Sequence, residues 1–240
     1  MKLSNNKILI TGGATGIGLG LAERFIKEGN TVLICGRREE ALKKAKDMLP
    51  SLITKVCDLG EEESRVSLYK WVSDNHPDLN VLINNAGIQN WMNISDDDFY
   101  EKANGEIAIN VAAPLHLTNL FLGLKSLDTI MNVTSGLAFI PLAKVPVYCA
   151  TKAFLRSFTL SLRYSLKEKG IGVVEIIPPA LNTDLGAPGL HTAFPPVSEF
   201  IETIFEQLRQ GRQELAFSTS ETRLKVNNEE IMGYFNRMNP

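Results

Sequence analysis

Residues 7–18 read KILITGGATGIG, an apolar run that leads directly into a glycine-rich turn. The apolar run predicts a buried strand, and residues 19–29 continue with helical periodicity and end on a glycine suited to a helix C-cap. A strand, a glycine-rich turn and a helix in this order form a phosphate cradle, because glycines let the backbone approach an anion at the helix N-terminus. Gly12, Gly16 and Gly18 have the spacing Gly-x3-Gly-x-Gly. We therefore expect dinucleotide binding here, with a purely structural tight turn as the alternative.

A second signal lies near the middle of the chain, where Tyr148 and Lys152 stand four residues apart. Residues at this spacing share one face of a helix. A phenol has an ordinary pKa of about 10, and a cation held beside it favours the phenolate. We therefore expect Lys152 to lower the pKa of Tyr148, so that this phenol exchanges a proton near neutral pH. A surface tyrosine–lysine pair without function is the alternative interpretation.

Together these two signals resemble the short-chain dehydrogenase/reductase family, and the resemblance covers almost the whole chain. Five motifs of that family occur in the right order and at the right spacing. They stand at Gly12, Gly16 and Gly18 (glycine motif), at Asn84–Gly87 (Asn-Asn-Ala-Gly), at Asn110, at Ser135 with Tyr148 and Lys152, and at Pro178–Thr183 (proline motif). Short stretches are also similar to the DltE-like bacterial oxidoreductases. This likeness does not identify a substrate for the present chain.

The resemblance implies a role for each matching residue. Tyr148 would give a proton to a substrate carbonyl while Ser135 holds the carbonyl oxygen, although Ser135 could equally be a turn residue. Lys152 would bind the nicotinamide ribose, and Asn110 would hold a water that links Lys152 to solvent. Pro179 departs from the glycine usual in the family, and it fixes φ and removes an N–H. The implied cofactor-binding residues are Gly12, Thr15, Gly16, Ile17, Gly18, Arg37, Asp58, Asn85, Ala86, Gly87, Tyr148, Lys152, Leu181 and Thr183.

The end of the second predicted strand, LICGRR at residues 33–38, indicates which nicotinamide cofactor binds. NAD-binding sheets usually place an acid there, at the position of Gly36, whereas Arg37 can pair with the 2′-phosphate of NADP. We therefore expect NADP, with NAD as the second choice. An Arg37 that merely faces solvent is the alternative, and Thr15 stands where many NADP-binding members carry a basic residue. Asp58 resembles the acid that contacts adenine, and it could also serve as a helix N-cap.

Apolar and helical segments alternate along the chain, which favours an α/β fold. We expect a Rossmann-type doubly wound parallel sheet of about seven strands with helices on both faces. Strands are predicted near 7–11, 31–36, 52–57, 81–85, 128–134, 171–177 and 214–218, and helices near 17–28, 39–49, 62–75, 98–123, 148–168 and 198–210. The candidate residues that follow strand ends are Gly12, Asp58, Asn84 and Ser135. A single domain should cover residues 1–226, and residues 227–240 form a polar tail that binds a partner or is disordered.

The composition excludes several classes of protein. A length of 240 residues fits one domain with a sizeable core, and a net charge of −2 argues against a nucleic-acid partner. Cys35, Cys57 and Cys149 are far apart, which indicates neither a disulfide framework nor a metal site. Since we find no N-terminal targeting signal and no stretch of ~18 apolar residues, we expect a cytoplasmic protein that does not span a membrane.

The resemblance also implies the substrate class and the assembly. The substrate would be a small-molecule carbonyl or alcohol, and the protein would form a homodimer or homotetramer. Residues 184–196 have the glycine and proline content of an irregular lid. Two other functions remain open: a catalytically limited NADP-binding regulatory or redox-sensing protein of the same fold, and a lyase or epimerase with tightly held NAD.

Overall fold

The structure is a computed structural model that describes residues 2–227 and 229–239. Met1, Asn228 and Pro240 lie outside the described residues, so the predicted tail is described only in part. The strands are β1 Lys7–Thr11, β2 Thr31–Gly36, β3 Ile53–Val56, β4 Val81–Asn84, β5 Thr129–Val133, β6 Gly172–Ile177 and β7 Glu214–Ala216. The α-helices are α1 Gly16–Lys27, α2 Glu39–Met48, α3 Glu62–Asn75, α4 Phe99–Ile107, α5 Ala113–Phe121, α6 Pro146–Leu166, α7 Val197–Arg209, α8 Thr219–Leu224 and α9 Ile231–Met238.

The strands form one parallel sheet in the order β3-β2-β1-β4-β5-β6-β7. Strand order reverses between β1 and β4, because β1 pairs with β2 on one side and with β4 on the other. Ile8 of β1 lies opposite Val32 of β2 and Val81 of β4. The predicted Rossmann-type sheet of seven strands is confirmed. In sheets of this kind the reversal leaves a crevice beyond the carboxyl ends of the strands.

Two apolar layers cover the two faces of the sheet. Strand β1 is fully buried and alternates between them, with Ile8 and Ile10 in one layer and Leu9 in the other. Helices α1, α2 and α7 pack on the first face, and α3, α5 and α6 pack on the second. Phe25 of α1 contacts Phe205 of α7 edge-to-face, with ring centroids 4.7 Å apart. The sheet is therefore held rigidly from both sides.

Several elements differ from the sequence-based expectation. The single helix predicted over 98–123 consists of α4, a π-helical segment at Ala108–Ala112 and α5. A short 3-10 helix at Gly136–Ala138 and helices α8 and α9 lie in regions where no element is predicted. Asn239 accepts a hydrogen bond from the Ala143 backbone N–H through Oδ1 at 2.6 Å, so the C-terminal segment packs on the loop before α6. No helix in the described part of the chain combines the length and the apolar character needed to cross a lipid bilayer.

Gly18 tests how tightly the glycine turn is packed. A Cβ placed there would lie 2.4 Å from the Gly12 carbonyl oxygen and 2.6 Å from Asn85 Nδ2. We expect Gly18→Ala to lower the free energy of unfolding by about 1–3 kcal/mol, because the added methyl group overpacks backbone. Gly36→Ala is the control, since a Cβ at Gly36 meets nothing within 4 Å. Urea unfolding of both variants measures the difference, and equal stabilities would contradict the packing.

Candidate active site

Two turns meet at the point where strand order reverses. One follows β1 and contains the glycines, and the other follows β4 at Asn85–Gly87. The Asn85 side-chain amide donates to the Thr11 carbonyl at 2.8 Å and to the Gly12 carbonyl at 3.2 Å. The backbone N–H groups of Asn85 and Ala86 both donate to Thr11 Oγ1, at 2.9 and 3.0 Å. These four bonds fix the two turns against each other and set the width of the crevice.

The three glycines of the motif differ in what they do. Gly12 has a φ of +62°, and a Cβ there would lie 2.9 Å from the Ala86 Cα. Gly18 is closed off by backbone, so it serves close packing of α1 against the sheet. Gly16 also has a positive φ, +54°, but a Cβ there would meet only the Thr183 side chain, at 3.4 Å. The open side of the turn therefore lies at Gly16.

The start of α1 fits a pyrophosphate. Thr15 precedes the helix with extended backbone and an exposed side chain that makes no capping hydrogen bond. The first N–H groups of a helix need acceptors, and Ile17 and Gly18 follow at that end of α1. Oxygens of a phosphate are suitable acceptors, because the helix N-terminus carries partial positive charge. The residues predicted to cradle the phosphates thus lie together, with Thr15 and Gly16 on the accessible side and Gly18 packed behind them.

The position predicted to select the cofactor lies at the end of β2. Gly36 has open space around it, and Arg37 is exposed. Within the described residues Arg37 forms no salt bridge, so its guanidinium can accept an anionic partner. Asp58, at the end of the next strand, accepts from the Gly60 N–H through Oδ1 at 3.0 Å. The alternative of a helix N-cap at Asp58 is wrong, because α3 begins at Glu62.

Ser135, Tyr148 and Lys152 come together at the carboxyl edge of β5. Ser135 follows β5 and is 7% exposed, while Tyr148 and Lys152 on α6 are 5% and 3% exposed. Lys152 Nζ donates to the Val133 carbonyl at 2.8 Å and lies 5.7 Å from the Tyr148 ring centroid. Ser135 Oγ accepts from the Leu137 N–H at 3.1 Å, as a turn residue would. Its own hydroxyl proton remains available for donation, so the turn role and a binding role are compatible.

Asn110 lies in the π-helical segment, and its side chain pins the loop after β4. Oδ1 accepts from the Ile88 N–H at 2.9 Å, and Nδ2 donates to the Ile88 carbonyl at 2.9 Å and to Thr151 Oγ1 at 3.1 Å. A Cβ at Gly87 would lie 3.3 Å from Lys152 Nζ and 3.4 Å from Asn110 Oδ1. Glycine at this position therefore lets Asn110 and Lys152 approach each other. The water expected at Asn110 stays a prediction.

Burial dominates the electrostatics of the tyrosine–lysine pair. Burial raises the pKa of Tyr148 above its ordinary value of 10, and the neighbouring Ser135 hydroxyl only partly offsets that rise. Burial also lowers the pKa of Lys152 from 10.5 to about 8. The net shift of the Tyr148 pKa is therefore upward, opposite in direction to the one expected from a neighbouring cation. The physical reason is that removal from water disfavours both charged forms, the phenolate and the ammonium.

The proline motif joins the site from the end of β6. The Pro178 carbonyl accepts from the Gly136 N–H at 3.0 Å, next to Ser135. Leu181 is buried, and the Thr183 side chain is the neighbour that a Cβ at Gly16 would meet. The proline motif thus closes the crevice opposite the glycine turn, and Pro179 does not displace it from that position.

Among the described residues, sequence reasoning missed two buried acids near this site, Glu106 and Glu175. Glu106 of α4 is 0% exposed, and its Oε1 accepts from the Asn90 backbone N–H at 2.5 Å. The only signal in the sequence is its spacing, four residues before Asn110 on the same helical face. Acids in helices usually face solvent, so this spacing alone does not identify it.

The comparisons with known proteins agree with this geometry. A family model described as short chain dehydrogenase matches residues 6–192. The oxidoreductase DltE of Bacillus subtilis (strain 168), itself called uncharacterized, is 44% identical over 224 residues, which cover 90% of this chain and 89% of that protein. Serine 3-dehydrogenase of Rhizobium radiobacter is 33% identical over 180 residues, with 74% and 72% covered.

Two solved structures share the fold. A short chain dehydrogenase from Burkholderia cenocepacia J2315 in complex with NADP gives a TM-score of 0.85 at 23% identity, with 99% of both chains covered. A short chain dehydrogenase/reductase from Burkholderia phymatum in complex with NAD gives 0.86 at 17% identity, with 100% of this chain and 99% of that chain covered. At these identities the likeness concerns the fold alone.

The buried Lys152 makes stability depend on pH. Its pKa in the folded protein is about 8, below the ordinary 10.5, so the folded state binds fewer protons than the unfolded state between these values. The free energy of unfolding should therefore rise with pH across that window, by up to about 3 kcal/mol from this group. Lys152→Met should lose this component, whereas Lys167→Met, at an exposed position, should keep it. Urea unfolding from pH 7 to pH 10 measures it, and parallel curves for wild type and Lys152→Met would contradict the burial effect.

Proposed function

The chain belongs to the short-chain dehydrogenase/reductase family, and we propose that it transfers hydride between NADP(H) and a small-molecule carbonyl or alcohol substrate. The observation that carries this proposal is the convergence of Ser135, Tyr148 and Lys152 at the sheet edge that also bears the glycine turn. All three side chains are buried, so a reaction there would be shielded from bulk water.

The proton chemistry follows from the two pKa shifts. The nicotinamide cofactor, when bound, supplies or accepts the hydride. As negative charge grows on the carbonyl oxygen, the Ser135 hydroxyl donates a hydrogen bond to it and Tyr148 gives it a proton. Burial keeps Tyr148 protonated, which suits a donor in the reductive direction. Lys152, with a pKa lowered to about 8, can exchange a proton near neutral pH and restore the phenol. In the oxidative direction the same proton transfers would occur in reverse.

The cofactor would lie across the reversal of strand order. The backbone at Thr15–Gly18 would hold the pyrophosphate, and Asp58 and the Asn85–Gly87 turn would flank the adenosine and nicotinamide halves. Leu181 and Thr183 would contact the carboxamide, and Lys152 the nicotinamide ribose. The exposed Arg37 beside the open Gly36 favours NADP over NAD. One structural neighbour holds NADP and another holds NAD, so the choice rests on this chain's own residues.

Helices α4 and α6 expose apolar side chains that could bind a second copy of the chain. Apolar side chains are exposed on α6, at Phe154, Leu160 and Tyr164, and Ile107 is exposed at the end of α4. We propose that a second copy of the chain covers this surface in a homodimer or homotetramer, in the cytoplasm.

Serine 3-dehydrogenase, among the relatives, is named for a hydroxyl-bearing amino acid. Serine and other small 3-hydroxy acids are therefore the first alcohols to try here, together with the matching ketones and aldehydes.

Replacement of Tyr148 tests the reaction itself. We expect Tyr148→Phe to reduce kcat at least about 100-fold, because it removes the proton donor. The dissociation constant of NADPH should stay nearly unchanged. Tyr100→Phe, on α4 and 75% exposed, is the control and should behave as wild type. A screen of carbonyls and alcohols with NADPH and NADH identifies a substrate for these assays. Full turnover of that substrate by Tyr148→Phe would contradict the mechanism. Nucleotide binding without turnover of any tested compound would favour the regulatory alternative.

Replacement of Arg37 tests cofactor choice. Arg37→Ala should raise the dissociation constant of NADPH about tenfold or more, because a charge-assisted pair with the 2′-phosphate is lost. Binding of NADH should change little. Arg38→Ala, at the next exposed position, is the matched control. Fluorescence titration of both cofactors gives the constants, and an equal loss for NADPH and NADH would show that Arg37 does not read the phosphate.

A further inference from the structure

Glu175 is a fully buried acid inside the sheet, on the strand next to the one that leads to Ser135. It lies on β6 and is 0% exposed. Its Oε1 accepts from the Thr134 hydroxyl at 2.7 Å, and its Oε2 accepts from Arg156 Nη1 at 2.5 Å. Both carboxyl oxygens therefore have partners. Because apolar residues often replace a buried ion pair without loss of stability, packing alone does not explain an acid at this position.

The bond from Thr134 acts on the residue directly before Ser135. Ser135 has extended backbone, with φ −167° and ψ 153°. Successive side chains of an extended chain point to opposite sides, so a Thr134 side chain tied to Glu175 on one side fixes the direction of Ser135 on the other. The Thr134 backbone N–H also donates to the Ile176 carbonyl of β6, at 2.8 Å. Thr134 is thus held through its backbone and through its side chain.

Arg156 of α6 links Glu175 with the far end of the segment that carries Ser135. The same Nη1 donates to Glu214 Oε1 of β7 at 2.9 Å. The guanidinium carbon of Arg156 lies 4.3 Å from the centroid of the Phe139 ring. Phe139 follows directly on the short 3-10 helix at Gly136–Ala138. One guanidinium therefore acts on both ends of residues 134–139, through the acid at one end and through the aromatic ring at the other.

We propose that Glu175, held by Arg156, is a positioning residue that aims the Ser135 hydroxyl at the substrate carbonyl oxygen by fixing Thr134. The inference rests on the proposed function, since it assumes that Ser135 donates to that oxygen. Hydrogen bonds weaken steeply as their angle closes, so a small rotation of the chain at Ser135 costs stabilisation of the transition state.

Replacements at Thr134 break the link with the smallest change in shape. Thr134→Val removes the hydroxyl and keeps the branched side chain, whereas Thr134→Ser keeps the hydroxyl. Thr129→Val is the matched control, because Thr129 is buried at the opposite end of β5 and its hydroxyl also donates to a carboxylate, Asp128 Oδ1, at 2.7 Å. Glu175→Gln keeps an acceptor for Thr134 but removes the charge that pairs with the guanidinium.

Hydrogen exchange of the Leu137 amide reports the direction of the Ser135 side chain, because this N–H donates to Ser135 Oγ at 3.1 Å. In the cofactor-free protein, followed by NMR, we expect it to exchange about tenfold faster in Thr134→Val and in Glu175→Gln. Thr134→Ser and Thr129→Val should keep the wild-type rate. A wild-type rate in Thr134→Val overturns the proposal, whether or not the protein turns over a substrate.

A kinetic double-mutant cycle shows whether Thr134 acts through Ser135. With NADPH and the carbonyl substrate that the screen identifies, Thr134→Val should lower kcat about tenfold and leave the dissociation constant of NADPH nearly unchanged. In a Ser135→Ala background the same replacement should lower kcat less than about twofold, because the group that it misdirects is already gone. A merely structural Thr134 would give the same loss in both backgrounds, and that result overturns the proposal.

The comparison of Thr134→Val with Thr134→Ser decides the matter even where Glu175→Gln fails to fold. A wild-type rate of Leu137 exchange in a folded Glu175→Gln overturns the role given to the acid. Failure of the proposed function is recognised separately, by turnover that survives Tyr148→Phe, since the exchange measurement does not depend on turnover.

Discussion

The closure of the β1 turn against the β4 turn is the constraint on which the site depends. Parallel strands end at one edge of a sheet, and a reversal of strand order leaves that edge open. Here the opening is bounded by Asn85, whose amide bonds two carbonyls of the glycine turn, and by Thr11, whose hydroxyl accepts from two N–H groups of the other turn. Without these bonds, buried or half-buried backbone groups such as the Ala86 N–H would lose the partners they have here. The crevice is therefore built by hydrogen-bond satisfaction rather than by apolar packing.

A buried network of polar side chains connects the sheet with α6 through hydrogen bonds. Asn84 donates to Asn132 at 2.9 Å, and Asn132 donates to Thr159 of α6 at 2.9 Å. Lys152, on the same helix, reaches back to the Val133 carbonyl, and Thr151 receives the amide of Asn110. Polar groups in a dry interior satisfy one another in only a few arrangements. The network therefore fixes the rotation of α6, and with it the direction in which Tyr148 faces.

Burial decides the electrostatic character of the site. A phenol and an ammonium at helical spacing would stabilise each other's charge at a surface, whereas here both are removed from water and both tend to the neutral form. A buried carboxyl group, Glu106, adds to the rise in the pKa of Tyr148. Tyr148 is therefore held in its protonated form, whereas Lys152 gives up its proton more readily than a lysine in water.

Local patterns in the sequence predicted the strands and the outer bounds of six helical regions to within two or three residues, because hydrophobic periodicity and glycine placement are properties of neighbouring residues. They did not predict the division of the region 98–123 into α4, a π-helical segment and α5. They also predicted the residues that meet at the sheet edge: the glycine turn, Asn110, Ser135, Tyr148 and Lys152. Helices α8 and α9 were not predicted: α8 is only six residues long, and α9 lies in the segment 227–240 that was interpreted as a polar tail. The direction of the pKa shift at Tyr148 and the position of Glu106 followed only from the tertiary structure. Both depend on how much water is removed from a side chain by residues distant in sequence, and no local pattern encodes that quantity.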